Sequence, residues 1–277
     1  MSDDLISLHI AHLQAGGYST HTIEKRAYVL RQLHHRLPFG LAYAATELLE
    51  AWLADLRTAK CSEWTLSTYH YHLTMFYRWA TSAGFLDGDP SAAIAKPRRP
   101  KPLPNPVSEE DLLRMFGLPE PIATAAVLAG FEGMRVSEIA ACRREHVTEE
   151  MVVIPRGKGG RPGTVPTHPF VWQWVAQRPS GLLVTNRRGE PVSGHWISVT
   201  ARYHLNKVGM TEVHMHRGRH RFGTLAQALG GDIRVTQELM RHSSITSTVG
   251  YTLITGSQRA AAVAALPVPG FGTPASQ

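Results

Sequence analysis

The sequence predicts a mainly α chain in two domains, a four-helix unit followed by a mixed α+β unit with a small β-sheet. Three observations lead there. Apolar residues recur at helical spacing through four successive segments of residues 1–94. A proline-rich basic stretch, residues 95–106, then interrupts the pattern and reads as a linker. Beyond it, in residues 107–277, two short β-like runs (Met151 to Pro155 and Thr164 to Pro166) stand among further helical segments. With 43% hydrophobic residues in a 277-residue chain, both units have enough apolar side chains for a core.

In the first unit, residues 3–14 and 20–36 read as amphipathic helices. Ser19 and Thr20 are good N-caps for the second, and Ile23, Tyr28, Leu30 and Leu33 are its expected core contributors. A third helix is expected from Thr46 to Leu56, burying Leu48, Leu49, Trp52, Leu53 and Leu56. The fourth runs from Thr65 to Ser82 on Leu66, Tyr69, Leu73, Phe76, Tyr77 and Ala80, with Gly84 as its stop. His70, Tyr71 and His72 fit core or helix surface better than a DNA contact.

Prolines 97, 100, 102, 104 and 106 bar regular structure in the linker, and Lys96, Arg98, Arg99 and Lys101 line it, suited to a phosphate backbone. The net charge is +7, which favours a polyanionic partner. The charge is uneven: residues 1–92 carry 7 Lys and Arg against 9 Asp and Glu, residues 93–277 carry 22 against 13. The positive field therefore belongs to the linker and the second unit.

That unit opens on Ser108-Glu109-Glu110-Asp111, a helix start with acids at the positive end of the dipole. A nearly apolar helix from Pro121 to Phe131 delivers Gly133-Met134-Arg135, with Glu138 one turn on to pair with Arg135. The two β-like runs flank Arg156-Gly157-Lys158-Gly159-Gly160-Arg161, a glycine-rich turn with Lys158 at its tip. It lacks the frame of a nucleotide-binding P-loop, so no ATP or GTP site is expected. Helices are expected at 168–177, 193–208, 232–240 and 257–266. Between the second and third of these lie His214, His216, Arg217, Arg219, His220 and Arg221, a cluster of guanidinium and imidazole groups suited to an oxyanion.

No apolar run reaches the roughly 18 residues that a membrane span needs, and residues 2–4 (Ser2-Asp3-Asp4) carry no export signal. Cys61 and Cys142 lie far apart without ligand spacing, which argues against structural zinc and fits a reducing compartment. A soluble, cytoplasmic protein is the expectation.

Five separated motifs, in order from 133 to 251, resemble those of the tyrosine recombinase (phage integrase) family. Gly133-Met134-Arg135-Val136-Ser137-Glu138 is similar to its first-arginine motif and Arg156 to Gly160 to its lysine hairpin. His216-Arg217-Gly218-Arg219-His220, with Phe222 and Thr224, looks like its His-x-x-Arg-His box; Leu239 to His242 looks like its Leu-Gly-His turn, and Thr248 to Tyr251 like its terminal Thr-x-x-Tyr. His214 and Arg217 share the His-x-x-Arg spacing, but only His216 and Arg219 put His220, Phe222 and Thr224 in register.

The resemblance implies a SAM-like helical core-DNA-binding domain joined to a catalytic domain, in the simple two-domain arrangement without an arm-binding domain. It implies that Tyr251 attacks a phosphodiester to give a 3′-phosphotyrosine. Arg135, Arg219 and His242 would hold the phosphoryl oxygens, Lys158 would act as general acid, His216 would assist proton movement, and Glu138 would support Arg135. Arg156, Arg161 and Arg217 join the four linker cations as expected DNA contacts. The implied partners are duplex DNA with inverted core sites, a homotetramer on it and an accessory directionality protein; no metal and no cofactor is implied. A type IB topoisomerase-like enzyme and a non-catalytic recombinase-derived DNA-binding protein are the alternatives. Two positions depart from the pattern. Gly218 stands where an apolar residue is common, weakening the local helix by about 1 kcal/mol relative to alanine, and Arg241 stands where glycine is usual.

Overall fold

The second unit is built around one helix. In the computed structural model, which describes residues 2–98, 104–155, 162–230 and 232–241, α6 (Ile122–Glu132) is buried along almost its whole length. Its sequence, IATAAVLAGFE, is apolar on every side, and such a helix can lie only inside a core. Around it stand α5 (Glu109–Phe116), α7 (Val136–Ala140), α8 (Pro169–Val175), α9 (Gly194–Lys207), α10 (Met215–Gly230) and α11 (Ile233–Leu239). Side-chain oxygens of Ser108, Ser193 and Asp232 cap α5, α9 and α11 by accepting from the amides of Asp111, Trp196 and Arg234. The core is contributed by Leu112, Met115, Leu128, Ile139, Val152, Val165, Val171, Ile197, Leu205 and Met215, among others.

Strands β1 (Met151–Ile154) and β2 (Gly163–Pro166) form an antiparallel pair, with Met151 opposite Pro166 and Ile154 opposite Gly163. The glycine-rich turn expected between them lies outside the described residues, as does the helix expected at 257–266. The start of α10 packs against the end of α6. There a methyl built on Gly218 would lie 3.2 Å from Ala129 Cβ and 3.4 Å from the Gly130 amide nitrogen. The glycine that weakens its own helix therefore sits at a close approach of the two helices, a packing reason that helix propensity alone does not reveal.

The chain divides into two compact units, Met1–Lys101 and Pro102–Gln277. The first holds α1 (Ser2–Ala15), α2 (Thr20–Arg36), α3 (Thr46–Thr58) and α4 (Glu63–Ser82). Ser19 and Ser62 cap α2 and α4, so α4 starts two residues before the expected Thr65. Its core gathers Leu30, Leu33, Leu41, Leu49, Trp52, Leu73, Phe76 and Tyr77.

Two expected core positions are surface instead. Tyr28 is 54% exposed because the buried stripe of α2 runs through Ile23, Arg26, Ala27, Leu30 and Leu33, and its hydroxyl accepts from Gln32 Nε2 at 2.7 Å. Leu48 is 38% exposed, one position off the Leu49–Trp52–Leu53 face. His70 and His72 are buried within this unit, His72 Nδ1 accepting from Arg26 Nε at 3.3 Å, while Tyr71 stays on the surface.

Candidate active site

The first-arginine motif acquires its geometry from the way α6 stops. Gly133 adopts the left-handed conformation (φ 57, ψ 27), and a Cβ there would sit 2.4 Å from Phe222 Cδ1 of α10, so position 133 excludes side chains on two grounds. The chain then turns extended at Arg135 (φ −75, ψ 152), which caps α7. Glu138, three residues on, folds its carboxylate back. Oε2 accepts from the Arg135 amide at 2.9 Å and Oε1 from Arg135 Nη1 at 2.8 Å. The carboxylate side chain is 1% exposed and the arginine side chain 20%, so the pair is desolvated on one side only.

Two further guanidinium groups reach the same place. Arg219 on α10 is buried and donates to the carbonyls of Gly133 and Met240. Arg241, just past α11, donates from Nη2 to the Gly133 carbonyl at 3.1 Å and to Glu138 Oε2 at 3.0 Å. Its Nη1 donates to the Leu239 carbonyl at 2.9 Å and the Glu132 carbonyl at 3.4 Å. Arg135 Nη2 in turn donates to the Arg241 carbonyl at 3.5 Å.

The electrostatics follow from these contacts. Burial by itself would raise the pKa of Glu138. The charge of Arg241, then the amide and guanidinium of Arg135, outweigh burial and hold it below the ordinary carboxylate range. Glu132 is fully buried, and burial pushes its pKa up to about 8 against the opposing pull of the His168 amide and Arg241. Among the described residues, then, the guanidinium groups of Arg135 and Arg241 both meet the one ionised Glu138 carboxylate at neutral pH, two cations on one anion. A site of that kind attracts an anion, and dry walls strengthen the attraction.

His216 lies one turn before Arg219 on α10, its ring edge-on to His220 at 4.6 Å. Desolvation of the ring, then the charges of His220, Arg219, His214 and Arg135, lower its pKa to about 4. The residue is exposed at the surface of the unit, and the imidazole is neutral at pH 7. Arg217 is half-buried at the start of α10, and its carbonyl accepts from the Val107 amide at 3.2 Å. Lys96 and Arg98 are exposed at the end of the first unit. Lys158, His242 and Tyr251, with Arg99, Lys101, Arg156 and Arg161, lie outside the described residues.

Sequence reasoning marked Arg241 only as a departure from the usual glycine and passed over Glu132. A signal existed for each. The family's usual glycine at 241 marks a left-handed backbone, and Arg241 has φ 51. Glu132 is the single acid in the apolar run of α6.

Residues 117–256, half the chain, match the family model described as "Phage integrase family". The chain belongs to that family. It is a tyrosine-type site-specific DNA recombinase. Tyrosine recombinase XerC of Chromobacterium violaceum is 30% identical over 273 residues, covering 91% of this chain and 90% of the relative. Tyrosine recombinase XerD of Pseudomonas aeruginosa is 30% identical over 200 residues, 65% of this chain and 67% of the relative. A lambda integrase dimer bound to a COC′ core site shares the fold, with a TM-score of 0.75 at 16% identity over 90% of this chain and 76% of that one. Among the described residues no helix is long and apolar enough to cross a membrane, and no group of three or more His, Cys, Asp or Glu side chains could hold a metal ion.

Proposed function

We propose that the recombinase cuts and rejoins duplex DNA through Tyr251, with Arg135 and Arg219 as the clamp on the scissile phosphate. The phenolic oxygen attacks phosphorus, the bond from phosphorus to the 5′ oxygen breaks, and a 3′-phosphotyrosine remains. Charge builds on the two non-bridging oxygens as this happens, and fixed guanidinium groups stabilise that build-up most where water is excluded. Neutral His216 takes part in moving the phenol's proton, and His242 adds a hydrogen bond to the phosphoryl group. Lys158 protonates the departing 5′ oxygen. Rejoining is the reverse attack by a 5′-hydroxyl, so the reaction needs no nucleotide fuel: the phosphotyrosyl bond conserves the energy of the one broken.

The observation that carries the reading is the gathering of three guanidinium groups at the turn after α6: Arg219 and Arg241 both donate to the Gly133 carbonyl, and Arg135 and Arg241 both donate to the Glu138 carboxylate. The linker cations Lys96, Arg98, Arg99 and Lys101, with Arg156, Arg161 and Arg217, contact the backbone of the duplex. Residues 1–94 serve as the core-DNA-binding domain and 107–277 as the catalytic domain, acting as a homotetramer on paired inverted core sites in the bacterial cytoplasm. An accessory protein sets direction. The test is a nicked suicide duplex carrying a core site selected from random DNA. Wild type should trap a covalent adduct, and Tyr251→Phe should bind the duplex and trap none; an adduct with the phenylalanine variant would point to another nucleophile.

A further inference from the structure

Arg241 is a large cation in a left-handed backbone conformation (φ 51), which a side chain disfavours and a glycine would adopt freely. Its side chain nevertheless takes no part in the surface. It is 10% exposed and spends both terminal nitrogens on four acceptors: the carbonyls of Glu132, Gly133 and Leu239 and the Glu138 carboxylate. The last of these acceptors also holds Arg135. Glu138 Oε2 is shared between the Arg241 guanidinium and the Arg135 amide, while the Arg241 carbonyl accepts from Arg135 Nη2. The stem of Arg241 also lies over the first residue of β2, where a methyl on Gly163 would come 3.0 Å from its Cδ.

We propose that Arg241 is a positioning residue of the recombinase, holding Arg135 in its phosphate-binding pose and keeping Glu138 from neutralising it. Two effects combine. By occupying Oε2, Arg241 fixes the carboxylate's rotation, and with it the direction of the Nη1 to Oε1 bond that aims Arg135. By sharing the negative charge, it leaves Arg135 less fully paired and so more attractive to a phosphate. A guanidinium does both because its planar fork reaches several acceptors at once; an ammonium would not. Arg241 itself stays committed to its four acceptors and does not bind DNA.

The inference rests on Arg135 being part of the clamp, and the experiment separates the two. On the suicide duplex, single-turnover cleavage and DNA affinity are measured for wild type, Arg135→Ala, Arg241→Gly, Arg241→Lys and the double variant Arg135→Ala/Arg241→Gly. Glycine suits the left-handed position, so Arg241→Gly should fold and bind DNA as wild type does, yet cleave about ten- to a hundredfold more slowly, the loss expected of a misplaced catalytic group. Arg241→Lys should be comparably slow, since charge without the fork does not aim Glu138. The double variant should cleave no more slowly than Arg135→Ala alone. Gly163→Ala, which presses on the stem without altering Arg241, should give a smaller loss that likewise vanishes in the Arg135→Ala background. Multiplying losses, a loss of affinity matching the loss of rate, or wild-type cleavage by Arg241→Gly would each overturn the positioning role alone. Wild-type cleavage by Arg135→Ala would overturn the clamp and this inference with it.

Discussion

Replacing Gly133 by alanine tests the turn on which the site is assembled. Two costs add at that position. A Cβ-bearing residue at φ 57 gives up about 1–2 kcal/mol for the left-handed conformation. The new methyl would also lie 2.4, 2.8 and 3.0 Å from Cδ1, Cε1 and Cγ of Phe222, distances that force the ring or the α6–α10 packing to move. Overpacking of that kind costs about 1–3 kcal/mol. Together the loss is about 2–5 kcal/mol, which for a unit of this size lowers the melting temperature by roughly 5–15 °C. Calorimetry and urea unfolding of the full chain measure it. Phe222→Ala removes all three clashing carbons, so the double variant Gly133→Ala/Phe222→Ala should be destabilised by less than the sum of the single changes, keeping the backbone part only. A loss below about 0.5 kcal/mol, the range of an ordinary surface change, or strict additivity of the pair, would refute the account of the turn.

The remaining predictions concern the same unit. Glu132 has a folded pKa raised from 4.5 to about 8, so the native state binds more protons than the unfolded state between those values and stability falls as pH rises across them. Glu132→Gln should flatten that decline, on the order of a few kcal/mol in wild type, in unfolding curves taken from pH 5 to 8; a wild-type profile already flat there would contradict the buried, protonated carboxyl. Gly218→Leu, which restores the side chain common in the family, should destabilise this protein strongly, because its methylene would start 3.2 Å from Ala129 Cβ. An unchanged melting temperature would mean that α6 and α10 separate at no cost.

Much of the architecture was legible in the chain itself. Polar and apolar residues alternate with helical period, and serines and prolines punctuate them; these local effects set where α2, α3 and α9 begin and end to within a residue or two, and where α5 begins. Where the reading slipped, the reason was three-dimensional. Tyr28 and Leu48 are apolar enough for a core, but helix rotation turned them outward.

The sequence by itself determined the order of the elements, the concentration of positive charge after residue 92 and the motif spacing that resembles the phage integrase family, because local propensity, charge and spacing are properties of the linear chain. Tertiary structure alone decided that Gly218 is a close helix crossing and that Gly133 makes room for Phe222. It also decided that Arg135, Arg219 and Arg241, spread over more than a hundred positions, meet at one turn, Arg219 and Arg241 on the Gly133 carbonyl and Arg135 and Arg241 on the Glu138 carboxylate. Such meetings depend on how α6, α7, α10 and α11 pack, and packing joins residues that no local rule connects.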